Sequence, residues 1–209
     1  MGLELINKLM YIAGIVVSDG YIRDREVRIA TSNISFAVQL CKILRDLGYK
    51  PRMDRGKRVY LIRVYSKEFS LKLQKILEVK PGRKSHIVRI PRGLSIDELK
   101  SFIAGLIDGD GSVGSVSTGI KNGKYGPYVI PRIVISSKSR HLILDLIHVL
   151  KDFGFKNIRF TYNEGVYRLV LYSMYNMCLL IKEIAPFMLH PDKIAGAMAW
   201  ANSCREMSG

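Results

Sequence analysis

The sequence predicts an α+β fold of two pseudo-symmetric halves. Each half runs helix, two strands, helix, hairpin and helix (αββαββα), and one helix from each half meets the other at the centre. Two observations carry this expectation. A short apolar stretch ending in Asp-Gly occurs twice, at Tyr11–Gly20 and Phe102–Gly111, 91 positions apart. The patterns that follow each copy also match, at offsets of 106 and 107.

The elements follow in order. The repeated stretch is helical and too short to cross a membrane. Gly14 and Ser18 lie four apart, as do Gly105 and Gly109, so each helix has one smooth face where a second backbone can approach. The partner for each smooth face is the other copy, which predicts that Leu5–Ser18 and Ser95–Gly109 pack together, with Gly20 and Gly111 ending them as C-terminal glycines do. Strands follow, near Tyr21–Ser32 and Tyr128–Lys138. Amphipathic helices come next, marked by Phe36, Leu40, Ile43, Leu44 and Leu47 in one half and by Leu142, Leu146, Val149, Leu150 and Phe153 in the other. Hairpins turn at Asp54-Arg55-Gly56 and Asn163-Glu164-Gly165, and closing helices lie near Glu68–Leu77 and Met174–Ile184. The larger late offset places the extra residues of the second half in a loop, Gly114 to Pro127. Lys80 to Leu94, with two prolines and two glycines, reads as the linker, and Ser95 with Glu98 as a capping box. The halves are therefore 1–93 and 94–209, forming one compact monomer.

The chain of 209 residues carries a formal charge of +15. Residues 1–100 hold 21 Lys and Arg against 10 Asp and Glu, or +11, and the remainder holds 12 against 8, or +4. This balance points to a polyanionic partner, nucleic acid above all. At 48% hydrophobic residues the chain is not disordered. Neither a signal peptide nor a membrane-spanning run is visible. Cys41, Cys178 and Cys204 form neither a disulfide framework nor a zinc pattern, so reduced thiols in an intracellular protein are expected (cytoplasm or nucleoid, or an organelle in a eukaryote). The four histidines read as surface or loop residues.

In so basic a chain the two acidic ends of the repeated helices stand out. A helix C-terminus has free carbonyls and the negative end of the macrodipole. Asp19 and Asp110 there make a poor site for an anion and a good one for a hard cation such as Mg²⁺.

These motifs resemble the signature of the LAGLIDADG homing endonuclease family. Ile103–Gly111 departs from the family pattern conservatively at two positions; Ile12–Gly20 departs more, with Val17 and Ser18 where Asp and a small residue are usual. The final Asp is present in both. The resemblance implies saddle-shaped antiparallel sheets and a site-specific, intron-encoded DNA endonuclease that makes staggered double-strand breaks with 3′ overhangs. It also implies that Asp19 and Asp110 bind Mg²⁺ or Mn²⁺, with the carbonyls of Ser18 and Gly109 as further ligands. Lys138 fits an auxiliary catalytic role, opposite Ser32 in the internal alignment, and Lys84 and Lys193 are further candidates. Asp108, matched by Val17, is expected to be structural.

Strand alternation puts Arg28 and Ser32 on one face with Ala30, and Arg132 with Val134, Ser136 and Lys138. Arg63 and Tyr65 match Val170 and Tyr172, with Arg168 on that face; Asn157, Arg159 and Thr161 alternate with Ile158 and Phe160. Such a face suits the major groove of double-stranded DNA, and Arg55, Lys57 and Arg58 suit phosphates. An RNA maturase acting on intron RNA, or a non-cleaving nucleic-acid binder, is the alternative. No membrane and no obligate protein partner are expected.

Overall fold

The computed structural model describes residues 5–82, 87–118 and 128–206. The first half runs α1 (Leu5–Asp19), β1 (Gly20–Arg23), β2 (Glu26–Thr31), α2 (Ile34–Asp46), β3 (Arg52–Arg55), β4 (Tyr60–Tyr65) and α3 (Lys67–Leu77). The second runs α4 (Ile96–Asp110), β5 (Ser112–Thr118), β6 (Tyr128–Ser137), α5 (Arg140–Asp152), β7 (Arg159–Asn163), β8 (Val166–Tyr172) and α6 (Met174–Glu183). A 3-10 turn (Ala185–Phe187), α7 (Pro191–Met198) and α8 (Ala201–Glu206) follow. The fold is α+β, with two four-stranded antiparallel sheets of equivalent order, β1-β2-β4-β3 and β5-β6-β8-β7.

Helices α1 and α4 are the axis of the molecule. A Cβ on Gly14 would lie 2.2 Å from the Phe102 carbonyl oxygen, and one on Gly105 would lie 2.2 Å from that of Tyr11. The two backbones therefore meet without an intervening side chain. Val27, Ile29, Ile62 and Val64 in the first sheet, and Ile133, Ile135, Leu169 and Leu171 in the second, turn to the helices and are buried. Their strand neighbours face the other way. Side-chain oxygens of Asn33, Ser66, Ser139 and Ser173 accept from main-chain N–H groups at the starts of α2, α3, α5 and α6, each worth about 1 kcal/mol. Ser95 and Glu98 form the predicted capping box of α4.

Several expectations change. The segment near Tyr21–Ser32 is a hairpin, with β1 and β2 joined at Asp24-Arg25. Gly114–Thr118 belongs to β5 rather than to a loop; the remainder of that segment lies outside the described residues. Strand β3 continues through Arg55, so the turn is later, at residues 56–59. Gly111 has an extended backbone, φ −75 and ψ 163, so no left-handed cap is present. What excludes a side chain there is space: a Cβ would lie 2.5 Å from the Ile107 carbonyl oxygen. Cys178 and Cys204 are joined in a disulfide between α6 and α8, and only Cys41 is free among the described residues. Their sequence separation of 26 hid the pair, because α8 was not visible as an element. No helix among the described residues is long and apolar enough to cross a membrane.

Candidate nucleic-acid interface and catalytic centre

The close crossing of α1 and α4 fixes where their acidic ends emerge. At that end Ser18 lies against Gly109, so tightly that a Cβ on Gly109 would overlap the Ser18 hydroxyl. Ser18 Oγ donates back to its own helix, 3.0 Å from the Ile15 carbonyl. Asp19 and Asp110 are thus the residues next after a touching pair.

Each carboxylate opens on its own cavity. The Asp19 cavity, about 350 Å³, is lined by Tyr21, Arg23, Arg28, Ala30 and Leu61. The Asp110 cavity, about 240 Å³, is lined by Val17, Ser18, Leu106, Ser136, Ser137, Lys138 and Leu142. The structure therefore brings Lys138 to Asp110, and Arg28 to Asp19. Ser32 lies just beyond β2 and is not among the residues lining either cavity. Lys84 lies outside the described residues.

Lys193, from α7, reaches the C-terminus of α4. Its Nζ donates to the carbonyls of Ile107 (2.8 Å), Asp108 (2.6 Å) and Gly109 (2.5 Å). A cation therefore already sits where the helix dipole favours one, and the Gly109 carbonyl expected for metal is engaged by it. Burial lowers the Lys193 amine from its ordinary pKa, while Asp108, Asp19, Asp110 and Asp192 oppose the shift.

Asp108 is a buried tie, in line with its structural reading. Its Oδ2 accepts from Tyr11 Oη at 2.6 Å, Leu189 N at 2.6 Å and His190 N at 3.1 Å. Burial raises its carboxyl above the usual range against the pull of these donors, and burial likewise raises the Tyr11 hydroxyl. His190 lies in the connection before α7, as a loop residue, but it is partly buried, its ring 4.7 Å from that of Phe36, and burial lowers its pKa. The Asn33 side chain also meets Asp192 at 3.0 Å. Residues Leu189–Lys193 thus connect the end of α4 to the first half.

The open faces of the sheets carry most of the predicted readers. Strand register sets Tyr21, Arg28, Arg63 and Arg52 in one row across the first sheet. In the second sheet Arg132 lies opposite Tyr172, and Ser136, Arg168 and Thr161 form a row. Arg52 stacks over Tyr65 at 6.0 Å, and Arg159 over Tyr172 at 5.6 Å. Both members of the two stacks are related by an offset of 107, so the repeat preserves a contact as well as a pattern. Lys57 and Arg58 are exposed at the tip of the β3–β4 hairpin. Arg55 pairs in register with Tyr60 and so lies on the face opposite Arg63. Asn157 precedes β7 with φ 53, a left-handed position that Asn tolerates; it does not share the strand face of Arg159.

Sequence reasoning missed the carboxylates on this face. Glu26 binds Arg28 through two bonds of 2.7 Å, and Asp54 stands 3.3 Å from Arg63 Nε. The i, i+2 spacing of Glu26 and Arg28 was the available signal.

Fold and site together define a duplicated α+β protein with two acidic helix ends paired between two arginine-bearing antiparallel sheets. The chain belongs to the family of LAGLIDADG-like domains, whose model matches residues 7–78 and 97–185. No curated protein sequence matches it. Among solved structures it is similar to the homing endonuclease I-DmoI in complex with DNA and calcium (20% identity, 92% of this chain and 97% of that chain, TM-score 0.66). It is also similar to the LAGLIDADG meganuclease I-AabMI bound to uncleaved DNA (11% identity, 96% and 91%, TM-score 0.66). A third is full-length DUF199/WhiA from Thermatoga maritima (15% identity, 97% and 62%, TM-score 0.62). At these identities the structures establish the shared fold.

Proposed function

We propose that the protein is a site-specific, metal-dependent DNA endonuclease acting as a monomer with halves 1–93 and 94–209, encoded within an intron. The observation that carries this reading is the pairing of Asp19 and Asp110 at adjoining helix ends, each beside a cavity whose wall bears a cation, Arg28 or Lys138. I-DmoI has been solved with DNA in the presence of magnesium and with manganese, which supports a divalent ion.

The residues present fit such an ion as a substrate-completed site. Two carboxylates are hard oxygen donors, yet no group of three His, Cys, Asp or Glu able to hold a metal exists among the described residues. Phosphate and water oxygens would complete the shell. Bound there, the ion would polarise phosphate, activate water and neutralise the leaving oxygen. The chain's own part is to hold the two carboxylates at a fixed spacing, to seat the duplex on the open faces, and to place Lys138 beside the scissile phosphate at the Asp110 end. Of the residues expected to act, Asp19, Asp110 and Lys138 keep their roles in this reading, with the Ser18 carbonyl as a further ligand. Lys193 neutralises the end of α4.

A non-cleaving nucleic-acid binder is favoured by one observation, that the Lys193 ammonium already holds the Gly109 carbonyl. Incubation with a randomised duplex library and Mg²⁺, followed by sequencing of the cut ends, separates the readings. One cut sequence with 3′ overhangs is expected. Selective binding with no cut ends supports the binder instead.

A further inference from the structure

The geometry points to Glu26 as a positioning residue that determines base specificity, by fixing the Arg28 guanidinium as a reader of guanine in the half of the DNA site bound by the first sheet. This rests on the reading of the protein as a sequence-specific DNA binder and goes beyond it in assigning how one base is chosen.

Arg28 Nε and Nη2 donate to the two carboxylate oxygens of Glu26, each at 2.7 Å. The pair is not a loose surface contact. The Glu26 side chain is only 9% exposed, while that of Arg28 is 32% exposed, so the carboxylate forms the floor and the guanidinium the accessible layer. A guanidinium has five N–H donors in a planar fork. The carboxylate takes the Nε–H and one Nη2–H. The donors left are the outer Nη2–H and the two of Nη1, and the Nη1/Nη2 edge is the one that matches O6 and N7 of guanine. An arginine held in this way has lost its rotamer freedom before DNA arrives, so less entropy is lost on binding. A free arginine in the same place would reach for any nearby phosphate, which carries no sequence information.

The surroundings agree. In register Arg28 stands opposite Arg63, and Glu26 opposite both Arg23 and Tyr65. Like charges facing each other across a sheet repel, so Glu26 keeps Arg28 from being driven off the face. With both oxygens committed, Glu26 is not itself free to accept from cytosine.

The device is confined to one half. At an offset of 106 the counterparts of Glu26 and Arg28 are Arg132 and Val134. The second sheet cannot copy the contact, so the guanine requirement is expected on one side of the target only.

The test is selection from a randomised duplex library without divalent metal, comparing the wild type with Glu26→Gln and Arg28→Lys. The wild type should prefer guanine at one position by about tenfold, as a bidentate contact provides. Glu26→Gln should bring that position below about threefold while leaving the preference at every other position unchanged, and sites without that guanine should bind as well or better, because an anion beside phosphate is removed. Arg28→Lys should lose the same position. If Glu26→Gln does not fold, Glu26→Asp keeps the charge but withdraws the carboxylate by one methylene, and should relax the same position. The inference is overturned if Arg28→Lys loses the guanine preference and the Glu26 variants keep it, or if they weaken all positions equally. A wild type that selects no sequence overturns the DNA reading itself.

Discussion

Gly14 and Gly105 pack backbone to backbone, an added Cβ on Gly14 falling 3.1 Å from the Gly105 Cα. This contact sets the separation of the helices whose ends bear the two carboxylates.

Gly105→Ala should therefore destabilise the protein by about 3 kcal/mol or more, the upper end of overpacking, because the obstacle is main chain. Gly114→Ala, with nothing within 4 Å of its Cβ, is the control and should change little. Urea unfolding of both variants measures the difference; equal midpoints would show that the helices separate without penalty.

Asp19→Asn and Asp110→Asn should each reduce Mg²⁺-dependent double-strand cleavage to near background, since Asn keeps the shape but cannot balance a divalent ion. DNA binding without metal should persist or tighten, because an anion near phosphates is gone. Cleavage, binding and unfolding are compared for both variants. A folded Asp110→Asn protein cutting at the wild-type rate would remove the metal assignment.

Lys138→Met should slow cutting of one strand more than the other, because the Asp110 cavity has this lysine and the Asp19 cavity has Arg28 instead. Nicked plasmid should accumulate before linear product. Equal loss on both strands argues that Lys138 acts on the fold or on binding.

Acidification should destabilise the fold through His190. Burial lowers its folded pKa below the unfolded value near 6.5. The unfolded chain then binds the proton first, so stability is lost as pH falls through about 6.5 and below. Lys193 adds to this shift and Asp192 opposes it. His190→Gln should flatten that part of the stability–pH curve. An unaltered slope would place the acid sensitivity elsewhere.

Reduction of Cys178–Cys204 should cost about 3.5 kcal/mol by chain entropy for a closed loop of this length. Because α8 is anchored to α6 through this bond, Cys204→Ser should show the same loss without reductant, and reductant should then have no further effect.

The repeat made the architecture legible. The smooth faces of α1 and α4 marked the central pair, and the offsets of 106 and 107 matched β2 with β6 and β4 with β8, because alternation and helical spacing are local properties of the chain; the partners β1 and β5 carried no such signal. The acidic helix ends were legible for the same reason. What could not be read depended on contacts between distant segments. Lys193 reads from the sequence only as a further candidate, and nothing local shows that α7 lays its amine on three carbonyls of α4. His190 looked ordinary because its partner, Phe36, lies in the other half. The cysteines looked unpaired because α8 carries too weak a pattern to be seen as a helix. Glu26 differs: its i, i+2 spacing from Arg28 is a local signal, masked by the basic side chains of the same strand.

The lysine on the end of α4 has a consequence for building hybrids from proteins of this kind. The seam between α1 and α4 is largely main chain against main chain, so beyond its glycines it asks chiefly for the Tyr11–Asp108 pair. A second half transplanted onto a foreign first half should dock through that seam. It cannot be cut at the end of the repeat, however. The portable unit extends past α6 to Glu206, because the residues that neutralise and tie down α4 arrive last in the chain. The joint to be re-engineered in such a chimera is then the small patch where His190 and Asp192 meet Phe36 and Asn33.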